Sequence, residues 1–385
     1  MIIQNELEKR RLPDLMTAEN GEKVTSLADW EVRRKEIWEL IQRECYGYIP
    51  NLHPTVRAET LISSDNAVAG KALYRHTVLH IQYDFMDMDM PVISGKYATP
   101  NDGAEIGNYK QMLSLPVNLT IPKGVGKAPV FVNISISPLY AGEFMPVEEL
   151  VDNGYAVASF FYEDVAFDRP NMAEHRLVYD EDADTPDRWG AIAKWAWAAG
   201  RVMDYLQTVP EIDASRVAVT GASRLGKAAL CAGILDERFS LVMPVIDGTG
   251  GCSLYRGNTK EDIDHIIDLF PHWFCRNYQK YKGKTEQLPF DAHFLMSLCA
   301  PRRIYMCLGQ EDVCADQVGE WLAAAETSKV YQLYGLQGFV APDRLPQEND
   351  VMHDGEIGMH IRPGTHYVSR QDWQLAIQYR NRHHV

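Results

Sequence analysis

The chain has 385 residues, of which 46% are hydrophobic and 24% are charged, a composition typical of a globular protein with an ample core. Its formal net charge of −15 argues against nucleic acid or an anionic membrane as a partner, because both require a basic surface. The seven cysteines are scattered singly, and neither a signal segment nor an apolar run long enough to span a membrane is present. We therefore expect a cytoplasmic protein, or a secreted one if a signal has been removed.

The N-terminal part of the chain is expected to precede the main fold. Residues 1–50 are predicted to form a polar lead-in and a helix from Ser26 to Cys45, with Trp30 and Ile37 on its apolar face. After residue 50, alternating apolar and polar residues predict antiparallel strands at Val56–Leu61, Ala72–Gln82 and Met112–Ile121.

Short apolar runs then alternate with helical segments. Buried parallel strands are predicted at 129–136, 156–162, 217–220, 241–246 and 304–308. Helices are predicted at Ala191–Leu206, after Gly226, and around Trp373. This alternation predicts an α/β fold, a doubly wound and mostly parallel sheet with antiparallel strands at its N-terminal side. Residues 51–385 are expected to form a single domain on which residues 1–50 pack.

A serine lies between the predicted strand that ends at Gly221 and the helix expected after Gly226. Glycines on both sides of Ser223 permit the sharp strand-to-helix turn of a nucleophile elbow, which presents a hydroxyl at the carboxyl edge of a sheet. The second glycine comes one residue later than in the usual G-x-S-x-G pattern. The alternative is a glycine-bounded turn in which the serine is incidental.

Residues farther along the chain favour the catalytic interpretation. A serine hydrolase of this type places an acid and then a histidine after the serine. Asp312 follows the predicted strand at 304–308, and His366 lies in a Pro/Gly loop before the Trp373 helix. An imidazole that accepts the serine proton, oriented by a carboxylate, is what activation of Ser223 requires.

Six segments of the chain resemble the glucuronoyl esterases of carbohydrate esterase family 15, bacterial type. The resemblance extends from about Leu12 to Arg382, and the segments are Gly221–Lys227, Phe270–Cys275, Leu288–His293, Ala300–Arg303, Glu311–Asp316 and His360–His366. It implies an α/β-hydrolase fold and an enzyme of xylan degradation, which cleaves esters between 4-O-methyl-glucuronic acid and lignin alcohols. It implies no metal and no organic cofactor.

The resemblance also implies roles for single residues. Ser223 matches the nucleophile, and Arg224 matches an arginine that helps to bind the oxyanion. Lys227 and Glu261 match residues that bind the sugar, and Trp273 is placed near the substrate pocket. The alternatives are a surface ion pair for Arg224 and Lys227, a solvated loop for Glu261 and a core position for Trp273.

The chain departs from the family at the acid and at an aromatic position. Many members carry the acid where this chain has Ile246, one residue before Asp247, whereas other bacterial members carry it where Asp312 lies. We therefore expect Asp312 to be the triad acid, with Asp247 in reserve and Asp316 as a third candidate. Cys314 stands where the family usually has a tryptophan that packs on the substrate.

Three functions are compatible with these features. The first is a serine esterase that cleaves a glucuronoyl ester by a Ser-His-Asp mechanism through an acyl-enzyme. The second is a deacetylase of acetyl xylan or an oligosaccharide with the same triad, and the third is a non-catalytic carbohydrate-binding relative. The expected partner is a small carbohydrate ester or oligosaccharide, and the sequence leaves the oligomeric state open.

Overall fold

A computed structural model describes residues 1–50, 54–83, 111–138, 145–170 and 185–385. The strands are β1 (Thr55–Ala67), β2 (Ala72–Tyr83), β3 (Gln111–Pro122), β4 (Ala128–Ser135), β5 (Ala156–Phe161), β6 (Ile212–Ala222), β7 (Leu241–Val245), β8 (Arg303–Gly309), β9 (Val351–Met352) and β10 (Ile357–Arg362). The helices are α1 (Ile2–Arg10), α2 (Leu27–Ile41), α3 (Val147–Asp152), α4 (Ala191–Leu206), α5 (Arg224–Leu235), α6 (Ile263–Leu269), α7 (Ala292–Ser297), α8 (Gln317–Leu333) and α9 (Arg370–His383).

All ten described strands belong to one sheet, in the order β1-β2-β3-β5-β4-β6-β7-β8-β10-β9. The six strands from β5 to β10 in this order are parallel. Strands β1 to β3 join β5 in antiparallel fashion, and β9 is antiparallel to β10. The predicted fold class is confirmed.

Helices cover both faces of the parallel strands, which explains why those strands are apolar throughout. In β4 all eight residues are buried. Val130 and Val132 face a core that includes residues of α2, α4, α5 and α8. The intervening Phe131 faces a second core with Trp373 and Ile377 of α9.

The N-terminal residues contribute to the first of these cores. Trp30 and Ile37 of α2 are fully buried there, and Ser26 caps the helix by a reciprocal hydrogen-bond pair with Asp29. The predicted helix to Cys45 instead ends as an α-helix at Ile41 and continues as a wider turn over Gln42–Tyr46. The predicted boundary after residue 50 adjoins residues 51–53, which lie outside the described residues.

The structure corrects the predicted start of the helix after the serine. Helix α5 begins at Arg224 with Ser223 as its N-cap, so Gly226 lies inside the first turn. A Cβ on Gly226 would approach the Cβ of Asp247 to 2.6 Å. Gly226 is therefore needed for the close approach of the helix to the chain that follows β7, and the helix does not begin there.

Strand β10 is absent from the predicted strands because polar residues interrupt its pattern. All six of its residues are buried, including His360 and Arg362. Within the described ranges, no helix has the length and apolar character needed to cross a bilayer.

Candidate active site

Ser223 occupies a strained backbone conformation between β6 and α5. Its φ is 57° and its ψ is −123°, values that non-glycine residues adopt rarely and mostly at functional sites. The serine amide donates to Val245 O at 2.8 Å. A Cβ on Gly221 would collide with the backbone of Leu225, which explains the glycine on the strand side of the turn. The positive φ thus falls on the serine itself, as in a nucleophile elbow.

The three residues predicted to form a triad follow parallel strands at one edge of the sheet. Ser223 follows β6, Asp312 follows β8 and His366 follows β10. Because β6, β8 and β10 run parallel in the sheet, the carboxyl ends of these three strands share an edge. Two backbone hydrogen bonds join the last two loops, from Gln310 to Arg362 O at 2.8 Å and from Glu311 to Gly364 O at 3.0 Å.

His366 and Asp312 form a direct pair. Nδ1 of His366 lies 2.9 Å from Oδ2 and 3.1 Å from Oδ1 of Asp312. The Asp312 side chain is fully buried, whereas that of His366 is 28% exposed. A hydrogen bond from Nδ1–H to the carboxylate leaves Nε2 as the proton acceptor, which is the tautomer a general base requires.

The Asp312 carboxylate is held by several donors. Oδ1 accepts from the amides of Cys314 at 2.7 Å and Ala315 at 3.0 Å. Lys260 donates to the backbone oxygen of Asp312 at 2.5 Å and so holds the loop, not the carboxylate. Burial alone would raise the pKa of Asp312, but the hydrogen bond and charge of His366 and the two amides outweigh it. The pKa is therefore below its usual range, and the acid is ionised at neutral pH.

The two reserve acids have other contacts. Asp247 is buried, its Oδ2 accepts from the Cys252 amide at 2.9 Å, and its Oδ1 has no partner among the described residues. Burial raises the pKa of Asp247 to about 6, against the opposing charge of Lys227. Asp316 caps α8 through the Val318 amide. In the part of the chain that the structure describes, neither carboxylate hydrogen-bonds to His366.

Arg224 is oriented by an aspartate that the sequence analysis missed. Its guanidinium forms an ion pair with Asp168, and its side chain is 26% exposed. The same guanidinium lies over the rings of Phe270 and Trp273, at 5.2 and 5.0 Å from their centroids. Nε of Arg224 is buried without a partner among the described residues. Among the described residues the guanidinium donates to Asp168 through Nη1, which leaves its Nη2 for a ligand.

Asp168 accepts hydrogen bonds from several side chains besides Arg224. His272 Nε2 lies at 2.8 Å, Trp273 Nε1 at 2.7 Å and Tyr162 Oη at 3.3 Å. Burial would raise the pKa of Asp168, but these hydrogen bonds and the Arg224 charge lower it to about 2. The one sequence feature that could have indicated Asp168 is its position shortly after β5, at the carboxyl edge of the sheet. The residues that it contacts are too distant in sequence to form a motif with it.

Lys227 and Glu261 form a buried ion pair below this edge. Nζ of Lys227 lies 3.0 Å from Oε2 of Glu261, also donates to Asp247 O, and lies 5.5 Å from the centre of the Trp273 ring. The Lys227 side chain is only 2% exposed and that of Glu261 10%. The surface ion pair and the solvated loop considered above are therefore wrong for these residues.

Trp273 lies beside both cations but presents little surface. It is 2% exposed, stacks on Phe270 with ring centroids 3.9 Å apart, and donates its indole N–H to Asp168. Its contacts make it a support for Arg224 and Lys227. The predicted substrate contact could involve only the small exposed part of the ring.

Among the residues that the structure describes, two groups of side chains have the spacing of metal ligands. Asp312, Cys314 and His366 offer ligand atoms within 4.8 Å of one another, as do Cys307, His360 and Asp372. In both groups the carboxylate already accepts several hydrogen bonds, from His366 and two amides in the first group and from His360 and Arg362 in the second. These contacts account for the two carboxylates without a metal.

A mostly parallel sheet with a serine at a strained strand-to-helix turn defines the α/β-hydrolase class. The family model described as "Glucuronyl esterase, fungi" matches residues 105–335. A carbohydrate esterase named MZ0003, from an unknown prokaryotic organism, is 32% identical over 98% of this chain and 90% of its own length. The chain belongs to the glucuronyl esterase family.

Other relatives agree in sequence and in structure. A 4-O-methyl-glucuronoyl methylesterase from Podospora anserina is 29% identical over 85% of this chain, which spans 58% of that protein. A glucuronoyl esterase from Solibacter usitatus superposes with a TM-score of 0.82 at 28% identity, over 96% of this chain and 97% of that one. The protein is thus a carboxylic ester hydrolase, and the non-catalytic alternative is wrong.

Proposed function

We propose that this protein hydrolyses an ester of 4-O-methyl-glucuronic acid through an acyl-enzyme on Ser223. The observation that carries the proposal is the Asp312–His366 pair, which follows β8 and β10 at the sheet edge where Ser223 follows β6. The relative from Podospora anserina, named a 4-O-methyl-glucuronoyl methylesterase, supports the identity of the acyl group.

In the proposed reaction Oγ of Ser223 attacks the ester carbonyl carbon while Nε2 of His366 accepts its proton. The tetrahedral intermediate collapses, the alcohol leaves with the proton from His366, and the uronoyl group remains on Ser223. Water then attacks the acyl-enzyme while His366 accepts its proton; the Oγ–acyl bond breaks, the free uronic acid departs, and His366 returns the proton to Oγ of Ser223. Asp312 orients His366 and stabilises its charge when it is protonated.

Charge that develops on the carbonyl oxygen has donors available near Ser223. The first amides of α5 have no partner within the helix, and the partial positive charge of its N-terminus favours an anion. The Arg224 guanidinium, whose side chain is 26% exposed, adds a charged donor beside Ser223. We assign these groups to the oxyanion site, with Asp168 as the residue that positions Arg224.

Replacement of Arg224 by alanine is expected to lower kcat by about 10²–10³-fold, the loss typical of one oxyanion donor. Arg224→Lys is expected to recover only part of the activity, because an ammonium lacks the planar geometry of the guanidinium. Steady-state kinetics on a methyl glucuronate measure both effects. A loss confined to KM would make Arg224 a substrate-binding residue.

Asp168→Asn serves as the matched variant for this test. It keeps the shape of the side chain but removes the charge that pairs with Arg224. We expect kcat to fall by about 10-fold or more, but by less than in Arg224→Ala, since the guanidinium remains and is only less well held. A normal kcat in Asp168→Asn would show that Arg224 does not depend on this ion pair.

Lys227 and Glu261 are proposed to recognise the sugar on the acyl side of the ester. The ammonium has three donors, of which Asp247 O and Glu261 occupy two. The third donor and the free lone pairs of Glu261 can bind sugar hydroxyls. An acetyl ester carries no sugar on its acyl side and would not use them.

Lys227→Ala is therefore expected to impair hydrolysis of a methyl glucuronate by about 10-fold or more, the scale of one charged hydrogen bond. Hydrolysis of an aryl acetate should change little, because its acyl group does not reach the lysine. The ratio of kcat/KM for the two substrates measures the effect and corrects for any general loss of structure.

An acetylated xyloside, tested beside these two substrates, separates glucuronoyl hydrolysis from deacetylation. Glu261→Gln should lower the glucuronate rate in the same direction as Lys227→Ala, since it alters the partner of the same ammonium. Equal losses on glucuronate and acetate in Lys227→Ala would assign the lysine a structural role. Faster turnover of the acetylated xyloside than of the glucuronate would favour the deacetylase.

A further inference from the structure

The loop that carries His366 is held from inside the protein by a buried arginine. Arg362, the last residue of β10, is 1% exposed. Its Nη1 donates to Pro363 O at 3.0 Å and to Thr365 O at 3.4 Å, and its Nη2 donates to Tyr367 O. One guanidinium therefore binds carbonyl oxygens on both sides of His366.

A buried aspartate fixes the guanidinium. Nε of Arg362 lies 3.0 and 2.8 Å from the two carboxylate oxygens of Asp372, in the first turn of α9. Burial alone would raise the pKa of Asp372, but His360 and Arg362 outweigh it and keep the pKa below its usual range. The carboxylate is thus ionised, and the buried charges of Arg362 and Asp372 neutralise each other.

The network continues away from the site through side chains of β8 and β10. Nε2 of His360 lies 2.8 Å from Oδ1 of Asp372, and its Nδ1 lies 2.9 Å from the Tyr305 hydroxyl. That hydroxyl lies 2.8 Å from Nε2 of His353. Asp372 is therefore held by the sheet as well as by its own helix.

The opposite side of the loop rests on the backbone at the end of β8. A Cβ on Gly309 would lie 2.6 Å from Gly364 O, 2.7 Å from Thr365 O and 3.0 Å from Nη1 of Arg362. Gly309 is three residues before Asp312. The loop that carries His366 thus packs between the Arg362 side chain and the end of β8, the strand that leads to Asp312.

We propose that Arg362 is a positioning residue for His366, which holds the 363–367 loop so that Nδ1 of His366 meets Asp312. Asp372 acts through Arg362 by fixing its guanidinium. The proposal rests on the function proposed for His366. It assigns to a fully buried ion pair a role in catalysis, although neither residue touches the substrate.

The test is Arg362→Lys, which keeps the charge but cannot reach three carbonyl oxygens and a carboxylate at once. We expect kcat to fall by about 10²-fold with little change in KM, because a small displacement of a catalytic group affects the transition state more than binding. Arg380→Lys is the matched control. Arg380 is also buried and binds backbone carbonyls, those of Val130, Arg216 and Val385, but not in the His366 loop. It should lower the melting temperature without lowering kcat.

A second measurement separates positioning from a general structural role. In a His366→Ala background, residual hydrolysis depends on the remaining groups, and Arg362→Lys should cause no further loss. A normal kcat in folded Arg362→Lys, or an equal loss in the His366→Ala background, would overturn the proposal. If Arg362→Lys does not fold, Asp372→Asn is judged by the same two criteria. Full activity of His366→Ala would instead refute the proposed function itself.

Discussion

Ser223→Ala is expected to lower kcat by roughly 10⁴–10⁶-fold, the range for loss of the nucleophile of a catalytic triad. The fold should persist, because the Ser223 hydroxyl does not cap α5 and alanine is smaller than the serine that it replaces. Kinetics on a methyl glucuronate, together with circular dichroism and a melting curve, measure both statements.

Ser215→Ala is the matched control for this substitution. Ser215 lies in the same strand, β6, but near its amino end, where its hydroxyl bonds to Asp213 at 2.6 Å. Activity in that variant should equal that of the unchanged protein. Near-normal turnover by Ser223→Ala would rule out an acyl-enzyme on Ser223. The protein would then be a family member whose nucleophile is not at this position.

Asp312→Asn should reduce kcat by about 10⁴-fold, the loss observed when a triad acid becomes an amide and selects the wrong tautomer of histidine. The side chain keeps its shape and burial, so binding of the substrate should change little. The measurement is kcat and KM on a methyl glucuronate, for Asp312→Asn and Asp247→Asn in parallel.

Asp247→Asn is expected to be much less severe in its effect on kcat. Its carboxylate contacts the Cys252 amide, and no hydrogen bond joins it to His366 among the described residues. Asp316→Asn should affect stability more than turnover, since that side chain caps α8. A greater loss of kcat in Asp247→Asn than in Asp312→Asn would show that Asp247, and not Asp312, is the acid of the triad.

The sequence was sufficient to predict where the candidate triad lies because each member follows a segment with a strong local pattern. Val217–Thr220 and Ile304–Leu308 are apolar runs typical of buried strands, so Ser223 and Asp312 could be placed at one sheet edge. Whether His366 pairs with Asp312 or with Asp247 depends on the order of the strands in the sheet. Local sequence patterns do not give that order, so the choice of Asp312 depended on the family resemblance.

The helix start and the polar supports were not predicted, for two physical reasons. Gly226 resembled a helix boundary, but its lack of a side chain serves packing against Asp247. Asp168 and Arg362 are defined by contacts with residues that the fold brings near, and charged residues in a sequence are usually assigned to the surface. Their burial becomes visible only when their partners are in place.

The pKa of Asp168 also sets the pH range over which its negative charge balances the positive charge of Arg224 in the proposed oxyanion site. Its pKa of about 2, against an ordinary value of 3.8, means that it takes up a proton only in strongly acidic solution. The stability that its ionised form contributes is present above the ordinary value and is lost as the pH falls through about 2. Between neutral pH and about pH 2, Arg224 therefore keeps an ionised partner in Asp168. Loss of activity in that pH range must begin with the protonation of other groups.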